Sequence, residues 1–181
     1  HKIEDTSQGL IRTVENISAM ATLSTGMVPI EKEMCDISEL IEVCCETMKK
    51  SLEDRQVSIK IQSDLPKIFI NFSLIELLLY NLLFNAIDYS EPNTTIELEA
   101  KKEGNYLVIS VSDEGKGIPE EDASLIFEKF YQVPGTEGKG LGIGLTIAKT
   151  IAELHNGELK AENKEPCGSI FRLYLPITNS P

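Results

Sequence analysis

Apolar residues recur along this chain in two rhythms, and each rhythm marks a kind of element. In the first segment, Lys2 to Thr25, Leu10, Val14, Ile17 and Ala21 stand at steps of four, three and four. That spacing forms one narrow stripe on a helix, which needs a second helix or a second subunit to cover it. Gly26 and Pro29 then break the pattern. Residues Ile30 to Cys35 alternate weakly, as an edge strand does. Asp36 and Ser38 offer N-caps for a helix carrying Leu40, Ile41, Val43, Cys44 and Met48, expected to run to about Arg55. Val57 to Ile61 alternates with period two, as strands do. Asp64 and Pro66 mark a turn, and Lys67 to Ile70 reads as a short strand. Ser73 is placed to cap an apolar helix that ends near Tyr89, before Pro92. Its leucine content predicts burial on more than one side.

The second half opens with Thr95 to Ala100 and Tyr106 to Ser112, two strand-like runs separated by Gly104 and Asn105, and so a β-hairpin. Asp113 to Gly144 is rich in glycine and interrupted by Pro119 and Pro134, which predicts loops with short helical turns around Asp122 to Phe130. Leu145 to His155 reads as a helix closed by Asn156-Gly157. Gly157 to Asn163 and Ser169 to Leu175 form a second hairpin-like pair. Helices and strands alternate, and the strands favour antiparallel pairing. The expected fold is an α/β (α+β) two-layer sandwich: a mixed, mostly antiparallel sheet of about five strands, about three helices on one face, and a preceding N-terminal helix.

Composition changes this picture little. The 181 residues suffice for one domain with a sizeable core and a short appendage. The charge matters more. A formal net charge of −12 and a pI near 4.6 repel nucleic acid and anionic membrane surfaces, arguing against both as general partners. A phosphate-binding site in such a chain must rely on a metal, on backbone N–H groups or on a few local cations. Cys35, Cys44, Cys45 and Cys167 show no C-x-x-C spacing, and there are only two histidines. That disfavours zinc and fits reduced thiols acting as small hydrophobes in a cytosolic protein. No run reads as long and apolar enough to span a membrane, and no signal peptide is visible. The chain starts at His1 rather than Met, which reads as an excised piece and leaves room for a membrane segment in its parent.

Three clusters carry possible chemistry. Asn81 and Asn85 interrupt the leucine-rich helix at i, i+4 and so share a face. A side-chain carbonyl oxygen suits magnesium, although two core asparagines bonded to neighbouring backbone would look the same. Asp113-Glu-Gly-Lys-Gly117-Ile-Pro119 follows a strand. An ionised carboxylate there can accept the exocyclic N–H of adenine, while Gly115 and Gly117 permit close approach to a flat base. A plain tight turn fits this run equally. Gly138-Lys-Gly140-Leu-Gly142-Ile-Gly144-Leu145 opens a helix. Bare backbone N–H groups at a helix N-terminus bind anions, and the interleaved Leu141, Ile143 and Leu145 argue against a free linker. The spacing matches neither a Walker A loop nor a dinucleotide fingerprint.

The order of these clusters resembles the catalytic ATP-binding domain of sensor histidine kinases, within the Bergerat-fold superfamily shared with gyrase, chaperone and mismatch-repair ATPases. Asn81-Leu-Leu-Phe-Asn85-Ala-Ile-Asp-Tyr89-Ser resembles the N box and Asp113-Glu-Gly-Lys-Gly117 the G1 box. Phe127 to Tyr131 resembles the F box, Gly140 to Leu145 the G2 box, and Gly168 to Pro176 the closing strand. The similarity covers residues 30 to 177, with residues 1 to 28 resembling the end of a second dimerisation helix. It implies that Asn85 ligates Mg2+, with Asn81 beside the phosphates and Tyr89 along the adenine. Asp113 would bond the adenine amino group, with Gly115, Gly117, Ile118 and Ser169 around the base. Lys129, Phe130 and Tyr131, together with Gly140, Leu141, Gly142, Gly144 and Leu145, would line or cover the phosphates.

The implied function is a two-component histidine kinase domain that binds Mg-ATP and passes the γ-phosphoryl to a histidine outside this chain. The implied partners are a dimerisation domain carrying that histidine and a response regulator or receiver domain. The implied setting is cytoplasmic, in a homodimeric parent of inner-membrane type. No catalytic residue is named. The pattern departs from the family at several points. His1-Lys-Ile-Glu-Asp does not match a phosphoacceptor box, and His155 reads as a helix-terminal structural residue. Two cations often found in the family are replaced by Asp88 and Gln132, with Lys116, Lys129 and Lys139 as candidates to compensate. The glutamate that hydrolysing relatives use to activate water is replaced by Asn81, which suits transfer to an imidazole. The competing reading is a degenerate, non-catalytic kinase-like module that regulates or docks a partner. A stand-alone serine kinase of the anti-sigma type is disfavoured by the dimerisation-helix remnant.

Overall fold

The computed structural model describes residues 13, 14, 16–21, 23, 30–136 and 140–178. Leu10, Gly26, Pro29, Gly138 and Lys139, on which several expectations rest, lie outside these residues. The described residues between 13 and 23 are helical. Seven strands and three longer helices follow: β1 (Glu33–Cys35), α1 (Ile37–Thr47), β2 (Gln56–Ile61), β3 (Ile68–Ile70), α2 (Phe72–Tyr89), β4 (Thr95–Glu103), β5 (Tyr106–Ser112), α3 (Gly144–Leu154), β6 (Glu158–Asn163) and β7 (Ser169–Pro176). A short 3-10 turn spans Glu120–Asp122.

Five strands form one sheet in the order β2-β4-β5-β7-β6. Only β2 and β4 run parallel, because α2 crosses over between them. Both expected hairpins are present, β4 with β5 and β6 with β7. The two shortest strands, β1 and β3, pair apart from the main sheet. The expected mixed sandwich is therefore the observed fold.

Alternation decides which face is covered. Leu98 of β4 stands opposite Val111 of β5, which stands opposite Phe171 of β7, and all three are buried. Their neighbours on the other face include Tyr106 and Tyr174, whose rings meet edge to face at 6.3 Å. The helices pack over the apolar side. Helix α2 contributes Ile75, Leu78, Leu79, Leu82, Leu83 and Ala86 to the core. Its 18 residues have a hydropathy of 1.2 and are long and apolar enough to cross a membrane by length and composition alone. That corrects the expectation that no such run exists. Here the helix is the central core helix, buried on several sides as its leucines predict.

Three boundaries differ from the sequence expectations. Helix α1 is capped by Asp36, whose carboxylate accepts from the Ser38 N–H at 2.9 Å, but it ends at Thr47 rather than near Arg55. Residues 48–54 are turns that swing Arg55 inward. Helix α2 is capped by Asn71, which accepts from the Leu74 N–H at 2.9 Å. Ser73 already lies inside the helix, so it is not the cap. Of the cysteines, Cys35 and Cys44 are buried as expected, with burial raising the Cys44 thiol to about 12. Cys167 is exposed, so it does not serve as a core hydrophobe.

Both ends of α2 are fixed by long-range bonds. At the start, the Asn71 N–H donates to His155 Nε2 at 3.0 Å, while His155 Nδ1 bonds the Ile151 carbonyl at 2.8 Å. At the end, Arg55 Nη2 donates to the carbonyls of Ile87 and Ser90, each at 3.1 Å, and Nε donates to Ser90 Oγ at 3.3 Å. The Arg55 side chain is only 5% exposed, with its charge met by Asp54 at 2.7 Å. A cation over the last carbonyls of a helix satisfies groups that have no intrahelical partner.

Two outcomes are expected. Burial holds the His155 imidazole below its ordinary value of 6.5, with Lys32 adding to the effect and the Ile151 carbonyl opposing it. Its contribution to stability is fully present above about 6.5 and is lost as pH falls through the lower folded-state value. The urea midpoint should fall between pH 7.5 and 5.5, and His155→Gln should flatten that slope; identical slopes would contradict the assignment. Arg55→Met should cost about 2–3 kcal/mol in urea unfolding, since it strips charged hydrogen bonds from buried carbonyls. A loss within experimental error would show that the cap is dispensable.

Candidate functional site

Asn81 and Asn85 sit one turn apart on α2, yet their amides are used differently. Asn81 is buried. Its Nδ2 donates to the Leu77 carbonyl at 3.0 Å, and its Oδ1 accepts from Asn16 Nδ2 at 3.1 Å. Gly144, the first residue of α3, lies against the same oxygen: a Cβ there would come within 2.8 Å of Asn81 Oδ1. Asn81 is thus the junction of α2, α3 and the N-terminal helical segment. Among the described residues the Asn85 amide has no hydrogen-bond partner, and Asn85 lines both cavities described next.

Asp113 follows β5 and is buried. Its Oδ1 accepts from the N–H groups of Gly115 at 2.7 Å and Ser169 at 3.3 Å, and its Oδ2 accepts from the Ser169 hydroxyl at 2.5 Å. A carboxylate has about four acceptor sites, so three donors orient it and leave capacity for a fourth. Gly115 lines neither of the two cavities described next. It packs beneath the site, where any Cβ would overlap the Tyr89 carbonyl oxygen. The end of α2 and the Asp113 turn can approach only because that residue is glycine.

Two adjoining cavities, of about 240 and 60 Å³, share Asn85, Tyr89, Ile126, Tyr131, Gln132 and Leu145. The smaller is a largely apolar slot between Ile118, Val133 and Phe171, with Asp113, Gly117 and Ser169 along it. Its shape and single carboxylate suit a flat heterocycle that donates an N–H. The larger carries more polar side chains. Asn81 and Asp88 form one side, and Gly140, Leu141, Gly142 and Gly144 lead into the N-terminus of α3 on the other. The described lining residues of both cavities include no Lys or Arg. An anion here meets backbone N–H groups and the helix dipole rather than a side-chain cation.

The segment above the cavities is tethered at several points. Phe130 N–H donates to the Gly142 carbonyl at 2.9 Å, and Gln132 Nε2 donates to the Gly140 carbonyl at 2.6 Å. Gln132, where the family often has a cation, therefore ties the glycine run to the F-box chain. The Tyr131 hydroxyl donates to Asp122 at 2.5 Å, and this bond raises the Tyr131 pKa above its ordinary value.

Most residues singled out from sequence converge here: those of the N box, Asp113, Gly117, Ile118, Tyr131, Ser169 and the described glycines of the G2 box. Two do not. Phe130 is 70% exposed, with a φ of 64° that turns its ring outward. Lys129 lines a separate cavity with Met20, Leu23, Thr146, Ile147 and Thr150. Neither lines the two cavities in this conformation. Ile126, Val133 and Phe171 were missed. Phe171 was legible as an inward position of an alternating strand, whereas Ile126 and Val133 sit in irregular chain that gives no periodic signal. Thr13 and Asn16 also line the larger cavity, on a stripe adjacent to the apolar one that the sequence shows.

A magnesium ion fits the donor set. Asn85 offers an unengaged carbonyl oxygen beside Asp88 in the polar cavity, and hard oxygen ligands of this kind suit a cation that keeps waters and phosphate oxygens in its shell.

Residues 70–179 match the family described as histidine kinase-, DNA gyrase B-, and HSP90-like ATPase. The sensor protein KdpD of Clostridium acetobutylicum is 32% identical over 180 residues, covering 96% of this chain and 19% of that protein. This chain thus spans about a fifth of that relative. Among solved structures, full-length ShkA in complex with AMPPNP superposes with a TM-score of 0.83 at 22% identity, covering 97% of this chain and 37% of that one. The nucleotide-free catalytic domain of histidine kinase ThkA superposes with a TM-score of 0.75 at 25% identity, covering 82% of this chain and 99% of that one. The carboxylate slot, the asparagine-bearing helix and the glycine-opened helix thus stand within a matched family domain. The chain belongs to the histidine kinase-, DNA gyrase B- and HSP90-like ATPase family, as a catalytic domain of the sensor histidine kinase type.

Proposed function

We propose that the two cavities together bind Mg-ATP and that its γ-phosphoryl passes to a histidine on a dimerisation domain outside this chain. The observation that carries this reading is the buried Asp113 carboxylate, oriented by Ser169 and Gly115 at the apolar slot. In this reading adenine enters the slot and donates its amino N–H to Asp113, with Tyr89 and Ile118 against its faces. The phosphates extend toward the N–H groups at the start of α3. Asn85 would hold the magnesium, which would supply charge neutralisation to the phosphates. The Gln132 tether and the Tyr131–Asp122 bond hold the covering segment and limit water. The acceptor imidazole attacks the γ-phosphorus. A nitrogen–phosphorus bond forms as the bond to the β-phosphate oxygen breaks, and ADP leaves with the electron pair.

The same reading makes residues 30–177 the catalytic domain and residues 1–28 the end of a dimerisation helix. It places the domain in the cytoplasm of a homodimeric, membrane-anchored parent that passes phosphate to a response regulator. One observation favours a second reading, a module that binds nucleotide or a partner without transfer. Asp88 lines the larger cavity at a position where the family often has a cation, so the acidic side chain stands on the side of the pocket meant for phosphate.

Two measurements separate the possibilities. Supplied with γ-labelled ATP, magnesium and an intact dimerisation domain, the chain should label the acceptor histidine. Asp113→Asn should weaken ATP binding by about tenfold or more, as expected for losing a charged acceptor. Nucleotide binding without transfer would favour the non-catalytic module, and no binding at all would remove both nucleotide readings. Asp88→Lys should tighten ATP binding by about tenfold. Two like charges 4 Å apart repel by about 4 kcal/mol at an effective dielectric of 20, and solvent at the cavity mouth reduces this. Unchanged affinity on calorimetric titration would show that Asp88 turns away from the phosphates.

A further inference from the structure

One wall of the apolar slot is held by a side chain that stands outside it. Asn163, the last residue of β6, accepts the Ile118 N–H at its Oδ1 at 2.7 Å and donates from Nδ2 to the Ile118 carbonyl at 2.9 Å. Both backbone groups of one residue are thus bound by one amide. The pairing needs a donor and an acceptor side by side. An ionised carboxylate lacks the donor, and an aliphatic side chain lacks both.

Ile118 lines the slot, whereas Asn163 lines neither cavity. Residues 113–119 form no helix or strand. Such a stretch has no ladder of its own, so its position comes from bonds to its neighbours. Gly117, with a φ of 74°, shows how closely the amide approaches: a Cβ there would come within 2.7 Å of Asn163 Oδ1.

The same rung of the sheet also sets the carboxylate. Asn163 stands opposite Ser169 in the end pair of the β6–β7 ladder. Ser169 donates to Asp113 through its N–H and its hydroxyl, and its carbonyl accepts from the Asp113 N–H at 3.0 Å. Beyond this pair, the Lys164 N–H donates to the Gly168 carbonyl at 3.0 Å. Any Cβ at Gly168 would overlap the Asp113 carbonyl oxygen, so the β6–β7 turn and the Asp113 loop are in direct contact. One residue of the end pair therefore holds the carboxylate, and the other holds the wall.

These bonds matter more to position than to folding. Asn163 is exposed, and hydrogen bonds made in competition with water add little net stability. Their geometric effect is separate. They order Ile118 before a ligand arrives, so a flat ring entering the slot does not have to, and binding costs less entropy.

We propose that Asn163 is a positioning residue of the base slot, whose amide holds Ile118 at a fixed separation from Asp113. The proposal rests on the nucleotide reading above. Asn163 touches no part of the nucleotide in that reading and acts only through Ile118.

The test compares the whole 181-residue chain as wild type, Asn163→Leu and Lys164→Ala. Leucine keeps the branched shape and removes both bonds. Lys164→Ala disturbs the same turn, where Lys164 Nζ donates to Ser112 Oγ at 3.3 Å, but leaves the Ile118 pairing in place. Urea midpoints of all three should agree within error, which confirms that each is folded. Titrated with magnesium and AMPPNP, Asn163→Leu should bind about three- to tenfold more weakly, the range of one such hydrogen bond, while Lys164→Ala should match wild type. Without nucleotide, amide exchange at Ile118 should be faster in Asn163→Leu alone. With ATP and an intact dimerisation domain, the loss should appear in KM and not in kcat, because no contact to the reacting phosphate has changed. Unchanged AMPPNP affinity in Asn163→Leu, an equal loss in Lys164→Ala, or a matching fall in kcat would overturn the positioning role and leave the nucleotide reading intact. If wild type itself does not bind AMPPNP, the nucleotide reading falls and this proposal falls with it.

Discussion

Helix α2 must be greasy enough to form the centre of the core and yet present one polar edge to a pocket. Those demands conflict. A helix anchored only by burying leucines could slide or rotate at little cost, and a small rotation would carry Asn85 out of the cavity. The conflict is resolved at its ends. Asn71 caps the start and is itself held by His155, from the far end of α3. Arg55 closes the finish, from the turn after α1. Both clamps are directional hydrogen bonds, and directional bonds fix a rotation that hydrophobic burial does not. Gly115 completes the arrangement by letting the Asp113 turn lie directly against the Tyr89 carbonyl. The two halves of the pocket thus keep a fixed spacing because one helix is pinned at both termini.

The charge of the molecule then explains the character of the pocket. With a net charge of −12, a nucleotide gains nothing from long-range steering. Among the described residues no local cation compensates: Lys129 faces another cavity, and the lining holds no Lys or Arg. In the proposed nucleotide complex, anion binding would fall to the N–H groups at the start of α3 and to a divalent metal near Asn85. Gln132 carries the same logic into the covering segment. Where a cation would contact phosphate, the amide ties down the glycine run instead. Such a pocket depends on shape and metal more than on charge, and so is sensitive to anything that changes its shape.

The sheet was legible because strand alternation is local. Leu98, Ile109 and Phe171 declare their buried face through the period of their own strands. The box residues were legible through their order along the chain. What escaped were features that depend on a distant partner. Helix α1 looks able to continue to Arg55, but the guanidinium is needed at the end of α2, and the chain leaves the helix to deliver it. Asn71 and Ser73 are both plausible caps, and only the geometry at Leu74 separates them. His155 looks like a cation favoured by a helix C-terminus. It is instead a buried neutral ring, since Nε2 must accept the Asn71 N–H. Lys129 and Phe130 belong to a recognisable box, but a positive φ at Phe130 turns its ring outward, a direction that no periodicity encodes.

Asn16 is the clearest case of a residue whose meaning is entirely tertiary. Alone it is one polar residue on the weaker face of a modest helix. In the fold its amide reaches Asn81, a side chain of α2 that meets the start of α3 and lines the larger cavity.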